Sequence, residues 1–188
     1  MDLRTTILGF LSWKPLSGYD LKKMLSESDI FYWSGNNNQV YKNLLQMQKD
    51  GLVTYQVQPQ ENLPDKKVYS ITENGLAELQ QSLLEMPEVP ELHKNFLIQL
   101  AWCEALSDDE VMKLLERYES EVEQRVKLHQ GQAEASGAWP KRSKRELYLW
   151  GRIHHNQVDS YQTELAWTRQ TLRDLREKNF LKDNEAKP

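Results

Sequence analysis

The chain has 188 residues and a mass of 22.2 kDa, with 39% hydrophobic and 28% charged residues. That is room for one ordinary domain or two small ones, in the balance of a soluble, helix-rich globular chain. Six Trp and eight Tyr exclude low-complexity disorder, because such side chains bury enough area to offset chain entropy. The net charge of −4 argues against a nucleic-acid partner held by bulk charge, and residues 1–86 keep that sign, with eight Lys/Arg against ten Asp/Glu. No apolar run approaches the ~20 residues that cross a bilayer, and the opening Met1-Asp2-Leu3-Arg4 is not a leader pattern. Cys103, the one cysteine, excludes an internal disulfide and a cysteine-based zinc site. The expectation is a cytoplasmic protein with no membrane association.

Leu3, Ile7, Leu8 and Leu11 recur at helical spacing, and Pro15 lies just past the expected end of that helix. Ser17-Gly18-Tyr19-Asp20 reads as an N-cap with an acid at the third helical position, opening a second helix with Leu21, Met24 and Leu25 inward. An aromatic connection follows, with Phe31, Tyr32 and Trp33. A third helix, about 36–50, should start among Asn36, Asn37 and Asn38, which cap helices well and propagate them poorly. Its apolar stripe is Val40, Leu44 and Met47, its opposite face Gln39, Lys42, Asn43 and Gln46, and Gly51 ends it.

The period then changes to that of strands. Leu52 to Val57 and Val68 to Ile71 are β-rich, and the stretch between them, from Pro59 to Lys67, is turn chemistry ending in Lys66 and Lys67. The two segments predict a two-stranded hairpin with a long cationic tip. Thr72 should cap a fourth helix with the apolar set Leu76, Leu79, Leu83 and Leu84, and Pro87 and Pro90 bracket an acidic connector.

The remainder reads as helix. His93 to Leu106 is strongly apolar, Ser107-Asp108-Asp109-Glu110 forms a capping box, and a long helix should follow with the seam Val111, Leu115, Tyr118 and Val122. Gly131 to Pro140 should break it. A last helix from about Ser143 to Lys178 repeats every seven residues, with Leu147, His154, Tyr161, Thr168 and Leu175 at one position and Gly151, Val158, Leu165 and Leu172 at the other. Two long helices with seams this narrow predict a partner subunit, with Leu147, His154, Val158, Tyr161, Leu165 and Leu172 at the dimer contact.

Three helices, two strands and a fourth helix, with a polar third helix and a cationic hairpin tip, are the order of a winged helix-turn-helix. Short amide and Lys side chains can enter the major groove, and a lysine-tipped wing can lie on phosphates or the minor groove. The expected DNA-facing set is Asn38, Gln39, Tyr41, Lys42, Asn43, Gln46, Lys66 and Lys67. Taken alone, Gln39, Lys42, Asn43 and Gln46 read more readily as a solvated helix face, and the wing attached in the right order reverses that.

The same residues carry a resemblance. Leu8-Gly9-x-Leu11, Pro15-Leu16-x-Gly18-Tyr19-x-Leu21, Trp33-Ser34, Val40-Tyr41-x-x-Leu44, Gly51-Leu52-Val53 and Pro64-x-Lys66-Lys67-x-Tyr69-x-Ile71-Thr72-x-x-Gly75 resemble, in this order, the PadR family of bacterial transcription regulators. Residues 92–178 look like the long-helix region of its virulence-activator branch. The resemblance implies a homodimer held by the C-terminal helices, presenting two recognition helices to a partly palindromic operator of double-stranded DNA. It places Gln39, Tyr41 and Lys42 on the DNA side of the third helix and Lys66 and Lys67 on the wing, residues 59–67. Asn37, Asn38 and Lys42 stand where many members have Pro, Gly and Pro, so no operator sequence carries over.

The expected organisation is therefore mainly α with a small β-hairpin: 1–86 a winged helix-turn-helix, 92–178 a coiled-coil-like dimerisation region, and 179–188 a disordered tail. Trp102, Trp150 and Trp167 could line an aromatic cavity between subunits for a small aromatic effector, or serve as core. His154-His155 with His129 lacks metal-ligand geometry, since adjacent helical residues point about 100° apart. Asp108, Asp109 and Glu110 suit a helix start, and Cys103 suits a buried thiol. Neither a nucleophile triad, a phosphate loop nor a dinucleotide fingerprint is present, so no enzyme activity, cofactor or metal is expected. Lys141-Arg142-Ser143-Lys144-Arg145 is the densest basic run, either a phosphate contact or a solvated loop. The rival function is a winged-helix protein–protein adaptor without DNA binding, suggested by the acidic first 86 residues.

Overall fold

The computed structural model describes residues 2–27, 38–60, 65–89, 94–134, 140 and 142–178. The aromatic connection with Phe31, Tyr32 and Trp33, together with Asn36, Asn37, His93, Lys141 and the segment 179–188, lies outside the described residues. The chain divides into two compact units, Met1–Pro90 and Glu91–Pro188.

The first unit begins with α1 (Leu3–Leu11), whose N-cap Asp2 accepts from the Thr5 amide at 2.9 Å. A two-residue strand β1 (Leu16–Ser17) leads into α2 (Gly18–Glu27), and then come α3 (Asn38–Lys49), β2 (Val53–Gln58), β3 (Lys66–Ile71) and α4 (Glu73–Leu83). Ser17 and Asp20 form the expected reciprocal cap: the Asp20 amide donates to Ser17 Oγ at 3.2 Å, and the Asp20 carboxylate accepts from the Ser17 amide at 3.1 Å. Gly51 closes α3 with φ of +73°, the left-handed conformation that glycine adopts without a Cβ penalty.

One core joins these elements. Ile7, Leu8, Leu21, Leu44 and Met47 are completely buried, with Leu3, Leu11, Leu25, Val40, Val53, Tyr69 and Leu79 around them. At ~25 cal/mol per Å² of apolar area, each fully buried aliphatic side chain contributes roughly 1.5–3 kcal/mol. Arg4 ties the periphery together, donating to both Glu78 carboxylate oxygens on α4 and, at 2.7 Å, to Asp50 just past α3.

The structure corrects several expectations in this unit. The sheet has three strands in the order β1-β3-β2, all antiparallel, because Leu16 and Ser17 pair with Tyr69 and Val68. Lys66 and Lys67 lie within β3, in register with Gln58 and Val57, rather than on the tip. Ladder pairing extends the strand past its β-branched core, so turn composition alone misplaced its start. On α4 only Gly75 and Leu79 are buried, while Leu76, Leu83 and Leu84 are exposed. That helix meets α1 along a single narrow stripe, and its C-terminal leucines lie beyond it.

The second unit contains α5 (Asn95–Ala101), a short 3-10 turn (Cys103–Ala105), α6 (Asp108–Glu134) and α7 (Lys144–Arg176). The expected helix from His93 to Leu106 is shorter: Trp102, at φ −106° and ψ 12°, leaves the helical path. Gly131 does not break α6, which runs through it; a glycine inside a long helix costs only about 1 kcal/mol relative to Ala.

α6 and α7 pack against each other antiparallel. Val122, Val126 and Leu165 form a buried cluster flanked by Tyr118 and Tyr161. His129 stacks on Tyr161 with centroids 4.9 Å apart. Arg169 donates to Glu119 at 2.6 Å and Glu123 at 3.3 Å, and Arg176 to Glu116 at 2.7 Å. Tyr118 stacks on Phe96 of α5 and donates its hydroxyl to Glu164 at 2.8 Å; Glu164 also pairs with Lys94. Part of each seam, Leu115 and Val122 on α6 and His154, Leu165, Thr168 and Leu172 on α7, is therefore already buried within one chain, while Leu147 stays exposed. A seven-residue repeat states that a helix has a partner, and here part of that partner is in cis.

Candidate nucleic-acid interface

α3 presents two faces with different chemistry. Val40, Leu44 and Met47 face the core, while Asn38, Gln39, Tyr41, Lys42, Leu45 and Gln46 are exposed. Among the expected DNA-facing residues on this helix, Asn43 and Gln46 have their amide nitrogens engaged. Asn43 is half-buried and donates from Nδ2 to the Gln39 carbonyl at 2.9 Å, and Gln46 donates from Nε2 to Asp50 Oδ1 at 2.8 Å. Gln39, Tyr41 and Lys42 stand on the exposed surface of the helix. Asp50 in turn takes the Arg4 guanidinium, so its carboxyl lies below the usual carboxylate range, through the hydrogen bonds from Gln46 and Arg4.

Tyr41 is positioned by a close approach to the start of α2. A Cβ built on Gly18 would lie 2.5 Å from Tyr41 Cε1, so this packing requires a glycine. The wing stands beside it. Lys67 Nζ sits 4.6 Å from the centre of the Tyr55 ring, and Tyr55 and Tyr69, directly opposite in the ladder, have ring centroids 5.6 Å apart. Lys66, its strand neighbour and so on the other face of the ribbon, places Nζ 3.1 Å from Asp20 Oδ2. The Asp20 carboxyl is pushed up by burial, but hydrogen bonds from Ser17 and the Lys66 ammonium outweigh that and hold it below its ordinary range. Tyr19, Tyr41, Asp20, Lys66 and Lys67 contribute to the walls of one open cleft of about 690 Å³ between α2, α3 and the wing. α3 and the wing thus share one surface of the first unit.

Asp20, beside the wing lysine, is a contact that sequence reasoning missed. Its only signal in the chain is the capping box, which explains an acid there without requiring Lys66, far along the chain. Arg4 and Asp50, which steady the end of α3, carried no sequence signal at all.

In the second unit the expected dimer residues fall into three groups. His154, Leu165 and Leu172 are buried within the chain, Val158 and Tyr161 are half-buried, and Leu147 is exposed. Three of the residues assigned to a second chain are thus already covered by this one. Exposed apolar side chains gather near the start of α7, at Leu147, Tyr148, Leu149 and Ile153, and again on α5 and the turn after it, at Leu97, Ile98, Trp102 and Leu106. Trp102 is 78% exposed, Trp150 is half-buried, and Trp167 lies edge-on to Phe96 at 6.5 Å. Trp150 and Trp167 stand seventeen residues apart on α7, about 25 Å along its axis, so they cannot line one small cavity within the chain. Among the described residues no cluster of His, Cys, Asp and Glu could hold a metal, and no helix is long and apolar enough to cross a membrane. Of the basic run, Ser143 caps the start of α7 and Arg142 just before it donates to Glu146 at 2.6 Å.

Comparisons with known proteins find relatives of this fold. Residues 7–81 match the family described as "Transcriptional regulator PadR-like family". The chain is similar to the negative transcriptional regulator PadR of Bacillus subtilis, 31% identical over 113 residues, or 60% of this chain and 62% of that protein. The match thus spans less than two thirds of the relative's length. The fold extends further: crystal structures of Bacillus subtilis PadR superpose with TM-scores of 0.80 in complex with operator DNA and 0.75 in complex with p-coumaric acid. Both are 23% identical; they cover 92% and 93% of this chain and 98% of theirs. The Vibrio cholerae virulence activator AphA is 25% identical with a TM-score of 0.66, covering 94% of this chain and 99% of its own.

Proposed function

We propose that this chain, whose residues 7–81 match the PadR-like family of transcriptional regulators, is a sequence-specific DNA-binding regulator that works as a cytoplasmic homodimer. The observation that carries this reading is the exposed polar face of α3 on the same surface as a lysine-bearing wing. In this arrangement α3 enters the major groove. Gln39 and Lys42 read base edges there, with Asn38, Tyr41, Asn43 and Gln46 around them. Asn43 and Gln46 first have to release the partners described above. Lys66 and Lys67 lie on the phosphate backbone or the minor groove. The division of labour follows the two units, residues 1–86 binding DNA and residues 92–178 holding the dimer.

In this reading the dimer contact includes the exposed apolar start of α7, around Leu147, Tyr148, Leu149 and Ile153. A p-coumaric acid complex of the Bacillus subtilis relative supports a small aromatic effector for this chain as well.

Selection of bound sequences from random duplex DNA with the purified full chain tests the reading. The expected product is a two-fold related pair of half-sites about one helical turn, ~34 Å, apart or a multiple of that. Recovery of no enriched sequence would overturn it in favour of a winged-helix adaptor, the function that the acidic first 86 residues suggest.

A further inference from the structure

The ion pair between Asp20 and Lys66 is not needed to build the wing. The wing strand β3 is registered on one side by six residue pairs with β2 and on the other by Leu16 and Ser17 of β1. The Asp20 carboxylate is held independently of Lys66: the same Oδ2 accepts from the Ser17 amide at 3.1 Å and from Ser17 Oγ at 2.7 Å, while the Asp20 amide returns a bond to Ser17. The carboxylate would stay where it is with no lysine present, and the strand would keep its register with no carboxylate present. What the pair changes is charge. Its partners are 36% and 34% exposed at the side chain, open enough to solvent for the contact to be readily exchanged.

Resting on the DNA-binding reading above, we propose that Asp20 sets the affinity for DNA by competing with phosphate for Lys66. On an arbitrary duplex the wing cation stays on its own carboxylate and adds little. When α3 docks, the wing brings a phosphate oxygen close enough to displace Asp20, and Lys66 then contributes. The carboxylate lowers indiscriminate binding and leaves the docked complex with its full set of phosphate contacts. It is an affinity-setting residue that touches no base.

The test uses the full chain and fluorescently labelled 30-base-pair duplexes of randomised sequence, titrated by anisotropy between 50 and 200 mM salt. Asp20→Asn removes the charge and keeps an oxygen for Ser17; Asp20→Gln, a common capping-box residue, is the second neutral variant should the first lose helix by circular dichroism. Each released phosphate counterion steepens the log–log salt slope by roughly 0.9. The neutral variant is therefore expected to bind several-fold tighter at 50 mM, with its advantage shrinking about threefold by 200 mM. In the Lys66→Ala background the same change is expected to do nothing. Equal tightening with and without Lys66 would overturn the proposal, because it would reflect only the removal of a negative charge near DNA. A neutral variant no tighter than the unmodified chain, while Lys66→Ala weakens binding, would overturn it and leave the wing contact standing. Absence of DNA binding by every variant and by the unmodified chain would overturn the proposal and the DNA-binding reading together.

Discussion

Two glycines that both exclude a side chain should behave oppositely when given one. At Gly18 a new Cβ would meet the Tyr41 ring, 2.5 Å from Cε1 and 3.0 Å from Cδ1. That ring is the end of a half-exposed side chain and can swing outward, at a rotamer cost of about 0.5–1.5 kcal/mol. The gain from replacing Gly by Ala in a helix, roughly 0.5–1 kcal/mol, offsets most of that. At Gly75 the new Cβ would lie 2.2 Å from the Leu52 carbonyl oxygen and 2.8 Å from Ile71 Cγ1. That carbonyl cannot give way, because it accepts from the Thr72 amide at 2.9 Å at the junction of β3 and α4. Overpacking against fixed backbone costs about 1–3 kcal/mol or more, beyond what helix propensity returns. Gly75→Ala should therefore lower the melting temperature by about 5–10 °C, at roughly 4–8 °C per kcal/mol for a unit of this size. Gly18→Ala should leave it within a few degrees. The assay pairs thermal unfolding by circular dichroism with anisotropy on a selected duplex. There Gly18→Ala should weaken binding about two- to tenfold, the value of one displaced hydrogen-bonding contact of ~0.5–1.5 kcal/mol. Equal destabilisation by both substitutions, or unchanged DNA binding in Gly18→Ala, would refute the reasoning that Tyr41 is held in place by the glycine beneath it.

Combined Lys66→Ala and Lys67→Ala should weaken binding to a selected duplex more than to randomised ones and flatten the log–log salt slope on the selected duplex by up to about two units, and an unchanged slope there would show that the wing does not reach the backbone. Gln39→Ala should instead alter preference at one or two base pairs in each half-site, worth roughly 1–3 kcal/mol of discrimination, with helicity intact because Val40, Leu44 and Met47 are untouched. Light scattering should return twice 22.2 kDa, and Leu149→Glu with Ile153→Glu on the exposed start of α7 should return a monomer; a folded monomer of the unmodified chain at micromolar concentration would sink the dimer assignment. The long-helix unit should lose stability in mild acid. Burial, reinforced by the nearby His129 and His155 imidazoles, holds His154 below its ordinary value, so the unfolded chain takes up its proton first. Stability is then complete above the unfolded value of about 6.5 and is lost as pH falls through it toward the folded value. Urea unfolding at pH 7.5 and 5.5 checks this, and a His154→Leu variant with the same pH dependence would count against it.

Local chemistry was legible along the chain wherever a residue's neighbours in sequence are also its neighbours in space. The stripe Val40, Leu44 and Met47, the Ser17–Asp20 cap and the left-handed Gly51 follow from a helical period, a side chain reaching three residues on, and a backbone angle one residue wide. The polar face of α3 was equally legible, because it is what remains when the buried stripe is removed. Pairings between distant segments were not. A strand of two residues, Leu16–Ser17, is too short to carry a period and exists only because β3 offers it a ladder edge. Lys66 read as a free tip cation until Asp20 came within 3.1 Å of it, and Lys67 until the Tyr55 ring came beneath it. The heptad spacing of α6 and α7 was likewise readable as a demand for a partner. That His154, Leu165 and Leu172 find cover within their own chain was decided by the antiparallel return of α7 along α6. A one-dimensional pattern states which side of an element must be covered. What covers it depends on distances between segments far apart in sequence, and only the folded chain determines those.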